Sequence, residues 1–356
     1  MLYRFISYSI TFAFLTAPVV CPALVSGETR EEIQISRNVS AHSHKELMNS
    51  EDAFRMARIF LGRLPAEMPG CESDTPERVA LGRRLYFERG ISLKKTLACH
   101  DCHFLTKGRA GADTTPTSKG GTGIFGKRNT PTVINAGFQI AQFWDGRARD
   151  LVEQAKGPIL NPIEMAIRTP EEVIERLRNI EGYQEAFRRA FPADPDPLTY
   201  DHVAEAISAF EHTLIAPARF DRFLGGEENV FNAQEQRGLI KFMQYDCVEC
   251  HTSATVGGRF FRPLGQRHPY ANRDDLGRYE VTKRDEDRYV FKVPMLRNVT
   301  RTPPYFHDGQ VADLKEAVRL MAFLQLDHRL TADDLDDLVS FLKTLEGNPP
   351  PVEEPR

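Results

Sequence analysis

Two copies of a five-residue pattern restrict this chain more than any other feature. Cys99-His100-Asp101-Cys102-His103 and Cys247-Val248-Glu249-Cys250-His251 each set two thiols three positions apart, with a histidine directly after the second. That is the attachment pattern of c-type haem: the thiols reach the two vinyl groups, and the histidine falls under the iron as its proximal ligand. One copy alone also reads as a redox disulfide or half of a zinc site. Two copies argue against both, because a closed zinc site wants spaced ligand pairs and gains nothing from the adjoining histidine. The chain is therefore expected to fold around two covalently bound haem c groups, held by Cys99, Cys102 and His103 and by Cys247, Cys250 and His251.

The length, 356 residues, suits about two domains. The charge is mixed, with a formal net value of −4, and gives no argument for nucleic acid. Residues 1–27 read as a secretory signal: Arg4, the apolar run Phe5 to Leu15, and small residues at Val25-Ser26-Gly27. Ser7, Ser9, Thr11, Thr16 and Pro18 break the run, and nothing later is long and apolar enough for a span, so no stable membrane span is expected in the mature chain. Export to the periplasm fits haem attachment, which bacteria carry out there. Of six cysteines, four belong to the motifs and Cys21 leaves with the signal. Cys71 has no partner left and is expected as a free thiol.

Residues 28–74 read as an N-terminal lead-in, with His42 and His44 as a polar pair more in keeping with a solvated tail than a metal site. After it the pattern is mostly α. Thr75-Pro76 and Thr169-Pro170 open helices, Asp201 can cap another, Asn232 and Glu235 have capping-box spacing, and Thr331 starts a last helix stopped by Gly347. Residues 106–130 form a long loop rich in Gly, Thr and Lys, of a length that usually serves a site. Residues 347–356 are a Pro-rich tail.

The two halves repeat each other at a constant offset of 163: Pro131 with Pro294, Asn135 with Asn298, Asp145-Gly146 with Asp308-Gly309, and Asp150-Leu151 with Asp313-Leu314. Two related haem domains are implied, residues 75–215 and 216–346, with Ala216-Pro217 between them. At that offset Met321 stands opposite Pro158. Met321 can give a thioether to the second iron, or it can fill the core on the Leu314, Val318, Met321 stripe. Pro158 can bind no iron. One haem is then six-coordinate and the other open, and near the open one Glu164 can move a proton between peroxide oxygens.

These motifs resemble the bacterial di-haem cytochrome c peroxidase family, which includes the MauG-type enzymes. The resemblance runs over roughly residues 75–346. It rests on both haem motifs, on Arg128-Asn129-Thr130-Pro131-Thr132 and Phe143-Trp144-Asp145-Gly146-Arg147, on Gly157 to Met165, and on Val293 to Asn298 leading to Pro304-Tyr305-Phe306-His307-Asp308-Gly309. It implies two cytochrome-c-like helical domains with a calcium ion between them, held by Asn129, Thr302 and Pro304. It also implies a peroxidatic first haem on His103, a high-potential second haem on His251 and Met321, the catalytic carboxylate Glu164 with Gln154 beside it, and Trp144 between the haems. In many members a loop histidine closes the peroxidatic iron at rest. Here Gly121 takes that place, and no histidine occurs between His103 and His202.

The resemblance implies a periplasmic enzyme that reduces hydrogen peroxide to water with electrons from a small cytochrome c or cupredoxin. Two rivals remain. A MauG-like enzyme would oxidise a protein residue; such enzymes carry Tyr at the Met321 position, which argues against it, while the missing loop histidine argues for it. A non-enzymatic di-haem electron carrier would need both irons saturated. Family members are often dimers, so a homodimer is an expectation of the resemblance alone.

Overall fold

The computed structural model describes residues 48–106 and 110–355. The signal segment, Cys21, His42 and His44 lie outside the described residues. Among the described residues the fold is mostly α: 11 α-helices joined by irregular loops, with one two-stranded antiparallel sheet pairing Phe261–Pro263 with Val290–Lys292.

Each half is built on one close helix crossing. Pro76–Tyr86 packs on Tyr200–His212, and Ala233–Gln244 packs on Ala332–Lys343. Glycine allows both crossings. A Cβ on Gly82 would stand 1.7 Å from the Ala206 carbonyl oxygen, and a Cβ on Gly238 would stand 2.0 Å from that of Asp337. Four residues beyond each carbonyl the Cβ of a phenylalanine, Phe210 or Phe341, closes on the same glycine. The two crossings are thus equivalent in register, Ala206 with Asp337 and Phe210 with Phe341. Leu85, Val173, Leu177, Tyr183, Phe187 and Val203 fill the core beneath the first crossing.

The repeat reaches down to single dihedrals. Asn135 and Asn298 both take the left-handed conformation at φ 61°, Phe143 and Phe306 at 66° and 67°, and Gly146 and Gly309 at 68° and 64°. Asparagine suits the first pair because its side chain bonds locally. Asn135 Oδ1 accepts from the Ala216 N–H and Asn298 Oδ1 from the Gly347 N–H, each at 2.9 Å. Asp150 and Asp313 cap the helices Leu151–Leu160 and Leu314–Leu326 by accepting from the N–H three residues on.

The caps read from Thr75, Thr169, Asn232 and Thr331 are present. Two others differ. Thr199, not Asp201, caps Tyr200–His212: its backbone is extended there and its hydroxyl accepts from the His202 N–H at 3.1 Å. Asp201 lies inside the first turn and pairs with Lys156 at 2.6 Å. The last helix ends at Lys343 with Thr344 as its cap. Gly347 instead pairs with Ala218 in an isolated bridge, where a Cβ would meet the Ala216 oxygen at 2.3 Å.

The ends of the described chain are tied to the body. Within the lead-in, Asn49 caps the helix Ser50–Phe60, whose buried Ala53, Phe54, Met56 and Ala57 face the second half. It packs on Ala233–Gln244, with Phe54 edge-on to Phe223 at 4.9 Å. The Pro-rich tail returns across the first half. Val352 packs against the Tyr86, Phe87 and Leu105 cluster, and Arg83 and Arg89 hold the Glu353 carbonyl and the Glu354 carboxylate. Cys71 is a free thiol. Burial and the nearby Glu67, Glu72 and Asp74 push its pKa up, so it stays protonated at neutral pH.

Gly82→Ala and Gly238→Ala are each expected to destabilise the fold by about 1–3 kcal/mol or more, because the obstacle is backbone and cannot rotate away. A lower thermal midpoint by circular dichroism checks this. Gly126→Ala, whose Cβ would find nothing closer than 3.7 Å, should leave the midpoint nearly unchanged.

Candidate active site

Both Cys-x-x-Cys-His motifs fold into a single tight turn. The His103 N–H donates to the Cys99 carbonyl at 2.9 Å, and the His251 N–H donates to the Cys247 carbonyl at 3.0 Å. The turn brings both thiols and the imidazole to one wall of a cavity. Burial pushes the thiols up, Cys102 to about 11 and Cys247 to about 12, so they are protonated rather than poised as thiolates. No disulfide joins either pair.

The histidines are held neutral. Burial lowers His103, and burial takes His251 down to about 4. His103 Nδ1 lies 3.3 Å from the Gly111 carbonyl, which can only accept; the proton therefore sits on Nδ1 and Nε2 keeps its lone pair. His251 Nδ1 is buried without a hydrogen bond of standard geometry, with the Val256 and Pro294 carbonyls as its electrostatic partners. A neutral imidazole with a free lone pair beside two protonated thiols in an apolar slot fits haem c at each motif. His103 and His251 would hold the irons, and the four cysteines the porphyrin edges.

The first cavity, about 450 Å³, is lined by Cys99, Cys102 and His103 and by Gln154, Pro158 and Glu164. The second, about 250 Å³, is lined by Cys247, Cys250, His251 and Met321. Leu314, Val318 and Met321 are only half-buried and all three line it, so the stripe faces the cavity rather than a closed core. Asn129, Thr302 and Pro304 border the second cavity together. Asn129 Nδ2 donates to the Thr115 and Pro116 carbonyls at 3.2 Å, which leaves its amide oxygen as the acceptor. Among the described residues no cluster of three His, Cys, Asp or Glu side chains forms a metal site, so a cation beside Asn129 would depend on neutral oxygens.

Trp144 lines both cavities. Its indole N–H donates to the Asn129 carbonyl at 2.9 Å, and its own carbonyl accepts from the Lys292 N–H at 2.7 Å. The ring is thereby fixed from the first half and its backbone from the second.

Glu164 takes a hydrogen bond from Asn161 Nδ2 at 2.6 Å. Burial raises its pKa, and the positive charge of Arg147 and the Asn161 bond pull partly against that rise. Arg147 sits 3.4 Å above the Phe143 ring and pairs with Asp145. The 118–126 loop is stapled to this segment, since the Gly121 N–H donates to the Glu164 carbonyl at 2.8 Å. Lys119, Lys127 and Met165 all line the first cavity, Met165 as a buried side chain that also belongs to the first core cluster.

Several contributors escaped the sequence reading. Arg128 forms a two-pronged pair with Asp275 at 2.6 and 2.7 Å and reaches Asp145 at 2.5 Å, joining the halves. Lys292 is fully enclosed, bonded to Gln139, and lowered by burial to about 7. Arg147 lay within a quoted motif without a role. The repeated aspartates were the available signal: Asp145 gathers Arg128 and Arg147, and Asp308 gathers Tyr270 and Asn272.

Residues 76–229 match the family described as di-haem cytochrome c peroxidase. The chain is 46% identical over 280 residues to a cytochrome c551 peroxidase of Pseudomonas aeruginosa, covering 77% of this chain and 80% of that one. The chain belongs to the di-haem cytochrome c peroxidase family. Another relative, a cytochrome c551 peroxidase of Nitrosomonas europaea, is 41% identical over 79% of this chain and 84% of its own. Among solved structures, a MauG-like protein associated with microbial copper homeostasis superposes with a TM-score of 0.69 at 28% identity, covering 83% of this chain and 96% of that one. The family fold of paired helical haem domains is the one found here.

Arg147→Ala removes the charge that restrains the Glu164 pKa, so that pKa should rise further. The acid limb of a pH–rate profile for peroxide turnover is expected to move to higher pH. An unmoved limb would show that Arg147 does not tune Glu164.

Proposed function

We propose that the protein is a periplasmic di-haem peroxidase that reduces hydrogen peroxide to two waters, using two protons and two electrons from a small cytochrome c or cupredoxin. The observation that carries this reading is Glu164. It is a carboxyl of raised pKa turned into the cavity of Cys99, Cys102 and His103, below a helix that offers Pro158 where the other half has Met321. Haem c, bound at both motifs, supplies the iron at which peroxide is reduced and the store for electrons in transit. The chain supplies the rest. Glu164 takes a proton from one peroxide oxygen and returns it to the leaving one, with its carboxyl aimed by Asn161. Gln154 flanks the same cavity and orients the substrate. Trp144, fixed between the cavities, carries electrons from the second half to the first. Met321, which lines the second cavity, would hold the second iron through its thioether, a ligand that favours the reduced state. Asn129, Thr302 and Pro304, which border one cavity, would hold a calcium ion through neutral oxygens and so stiffen the junction.

A second reading, oxidation of a residue on another protein, is favoured by Gly121 and opposed by Met321.

Glu164→Gln should keep both haems and lower peroxide turnover by on the order of 10² to 10⁴, the span expected for a lost acid–base group. A steady-state assay with reduced cytochrome c decides this; wild-type turnover would remove Glu164 from the role.

Gly121 bears on activation. It has no side chain to offer an iron, and its N–H is already engaged by Glu164. The ammonium of Lys119 is a donor only, with no lone pair to offer an iron. The fully oxidised protein should therefore show a high-spin signal from one haem in electron paramagnetic resonance, and should react with peroxide without prior reduction. Two low-spin haems that stay inert until one electron is added would show that another residue closes the site.

A further inference from the structure

The two halves differ at one cavity position that the peroxidase chemistry above does not use. In the first half, Ile207 and Glu211 stand one turn apart on Tyr200–His212 and line the first cavity. The helix crossings put Leu338 and Leu342 at the equivalent positions of the second half, and both line the second cavity. A leucine is therefore enough to build this wall. The first half carries a carboxyl there instead.

The surroundings of that carboxyl are unusual. Glu211 is 4% exposed. Among the described residues no hydrogen bond or ion pair reaches its carboxylate. Burying an unpaired carboxylate is costly enough that the group takes up a proton instead. Burial alone raises the Glu211 pKa to about 8, with no opposing charge. The groups facing it are Tyr86 from the crossing helix, Cys99 from the motif, and Glu164 across the cavity. Cys99 has no titrating thiol once it is a thioether, and Tyr86 is raised well out of range by burial. Other charges on the packed helices point elsewhere: Arg78 to the Ala190 carbonyl, Arg83 to the tail, Arg84 to the Glu181 carbonyl, Lys156 to Asp201 and His212 to Asp74.

We propose that Glu211 is the redox-linked proton site of the first haem: its carboxyl takes up one proton from solvent when that haem accepts an electron and releases it when the electron leaves. The inference rests on haem being carried at Cys99 and Cys102, and not on which oxidant the enzyme consumes. The physical reason is charge balance. A charge change inside a buried cavity is poorly screened, and a carboxyl at the cavity wall can cancel it. The second cavity, with Leu342 there, lacks this compensation. Glu211 is a positioning group for charge and need not touch peroxide.

The sign follows directly. Raising the pH ionises Glu211, and its carboxylate stabilises the oxidised haem, so the midpoint potential of the first haem falls with pH across the neutral range. One proton per electron gives a tenfold change in the reduction equilibrium per pH unit, or about 59 mV. The test is spectroelectrochemical titration of the holoprotein, without peroxide, at a series of pH values. It compares wild type with Glu211→Gln, Glu211→Leu and Glu164→Gln. The slope should vanish in both Glu211 variants and persist in Glu164→Gln. Persistence in Glu211→Gln, or loss in Glu164→Gln alone, would overturn the assignment. Haem content by pyridine haemochrome confirms that each variant is loaded. If neither Glu211 variant loads, infrared difference spectroscopy of the wild type decides. Oxidation of the first haem near neutral pH should bleach the carbonyl band of a protonated carboxylic acid, and its absence would sink the proposal. Peroxide turnover is read separately, so loss of the slope with turnover intact, or the reverse, tells the two readings apart.

Discussion

The junction of the two halves depends on one buried guanidinium. Burial opposes a charge on Arg128, but the carboxylates of Asp275 and Asp145 outweigh it and hold its pKa above the usual value. The Arg128 side chain is only 12% exposed, with Asp275 and Asp145 at 8% and 5%, and Glu280 adds a looser third pair at 3.6 Å. Such an arrangement is stable only when complete: removing one partner leaves uncompensated charge and costs about 3–5 kcal/mol. Its position explains why that risk is tolerated. The next residue, Asn129, receives the Trp144 indole N–H, and Asp145 follows Trp144 in the chain. Arg128 therefore fixes both sides of the ring's setting, while Asp275 ties that setting to the other half.

The same cluster explains how a ring between two cavities is kept still. Trp144 is half-buried and lines both cavities, so core packing alone does not lock it. Its carbonyl is held by Lys292 on the short sheet, and Arg278 donates to the Asp145 carbonyl at 3.0 Å. Gly146 must be glycine: besides its positive φ, a Cβ there would stand 2.2 Å from the Phe261 ring. The Asp-Gly pair seen twice in the sequence thus serves a turn that packs against the opposite half.

Much of this was legible in the sequence, for identifiable reasons. The haem motifs are local, and each folds into the turn that its spacing implies. The Asn, Asp-Gly and Asp-Leu repeats are backbone devices, a left-handed residue, a tight turn and a cap, so they left matching letters at a fixed offset. What the sequence hid is non-local. Asp201 looked like a cap because it precedes the apolar stripe, but the cap depends on where the chain becomes extended, and that is Thr199. Arg128 and Asp275 are 147 positions apart, and no pattern ties one arginine to one of many acids at that distance. The Ser50–Phe60 helix has its apolar face, yet nothing in it says that its partner is Ala233–Gln244. Glu211 stayed hidden because the helix crossings repeat at a different interval from the loops. Only the contacts of Gly82 and Gly238 set it opposite Leu342.

The scaffold leaves some positions free to diverge, and the divergence is ordered. Positions that fix backbone are shared between the halves: Asn135 with Asn298, Gly146 with Gly309, Gly82 with Gly238. Positions that line the cavities are not: Pro158 faces Met321 in the alignment, and Glu211 faces Leu342. On the first side stand a proline and a carboxyl; on the second, a thioether and an aliphatic wall. Reduction of peroxide consumes protons at a site that must stay open to a small molecule. Electron relay needs a closed site whose charge changes without proton traffic. One duplicated helical frame can meet both demands because the residues that hold its shape are separate from those that face its cofactors. The cost falls on the junction, where Arg128, Asp145 and Asp275 must keep two differently tuned cavities in contact with a single indole.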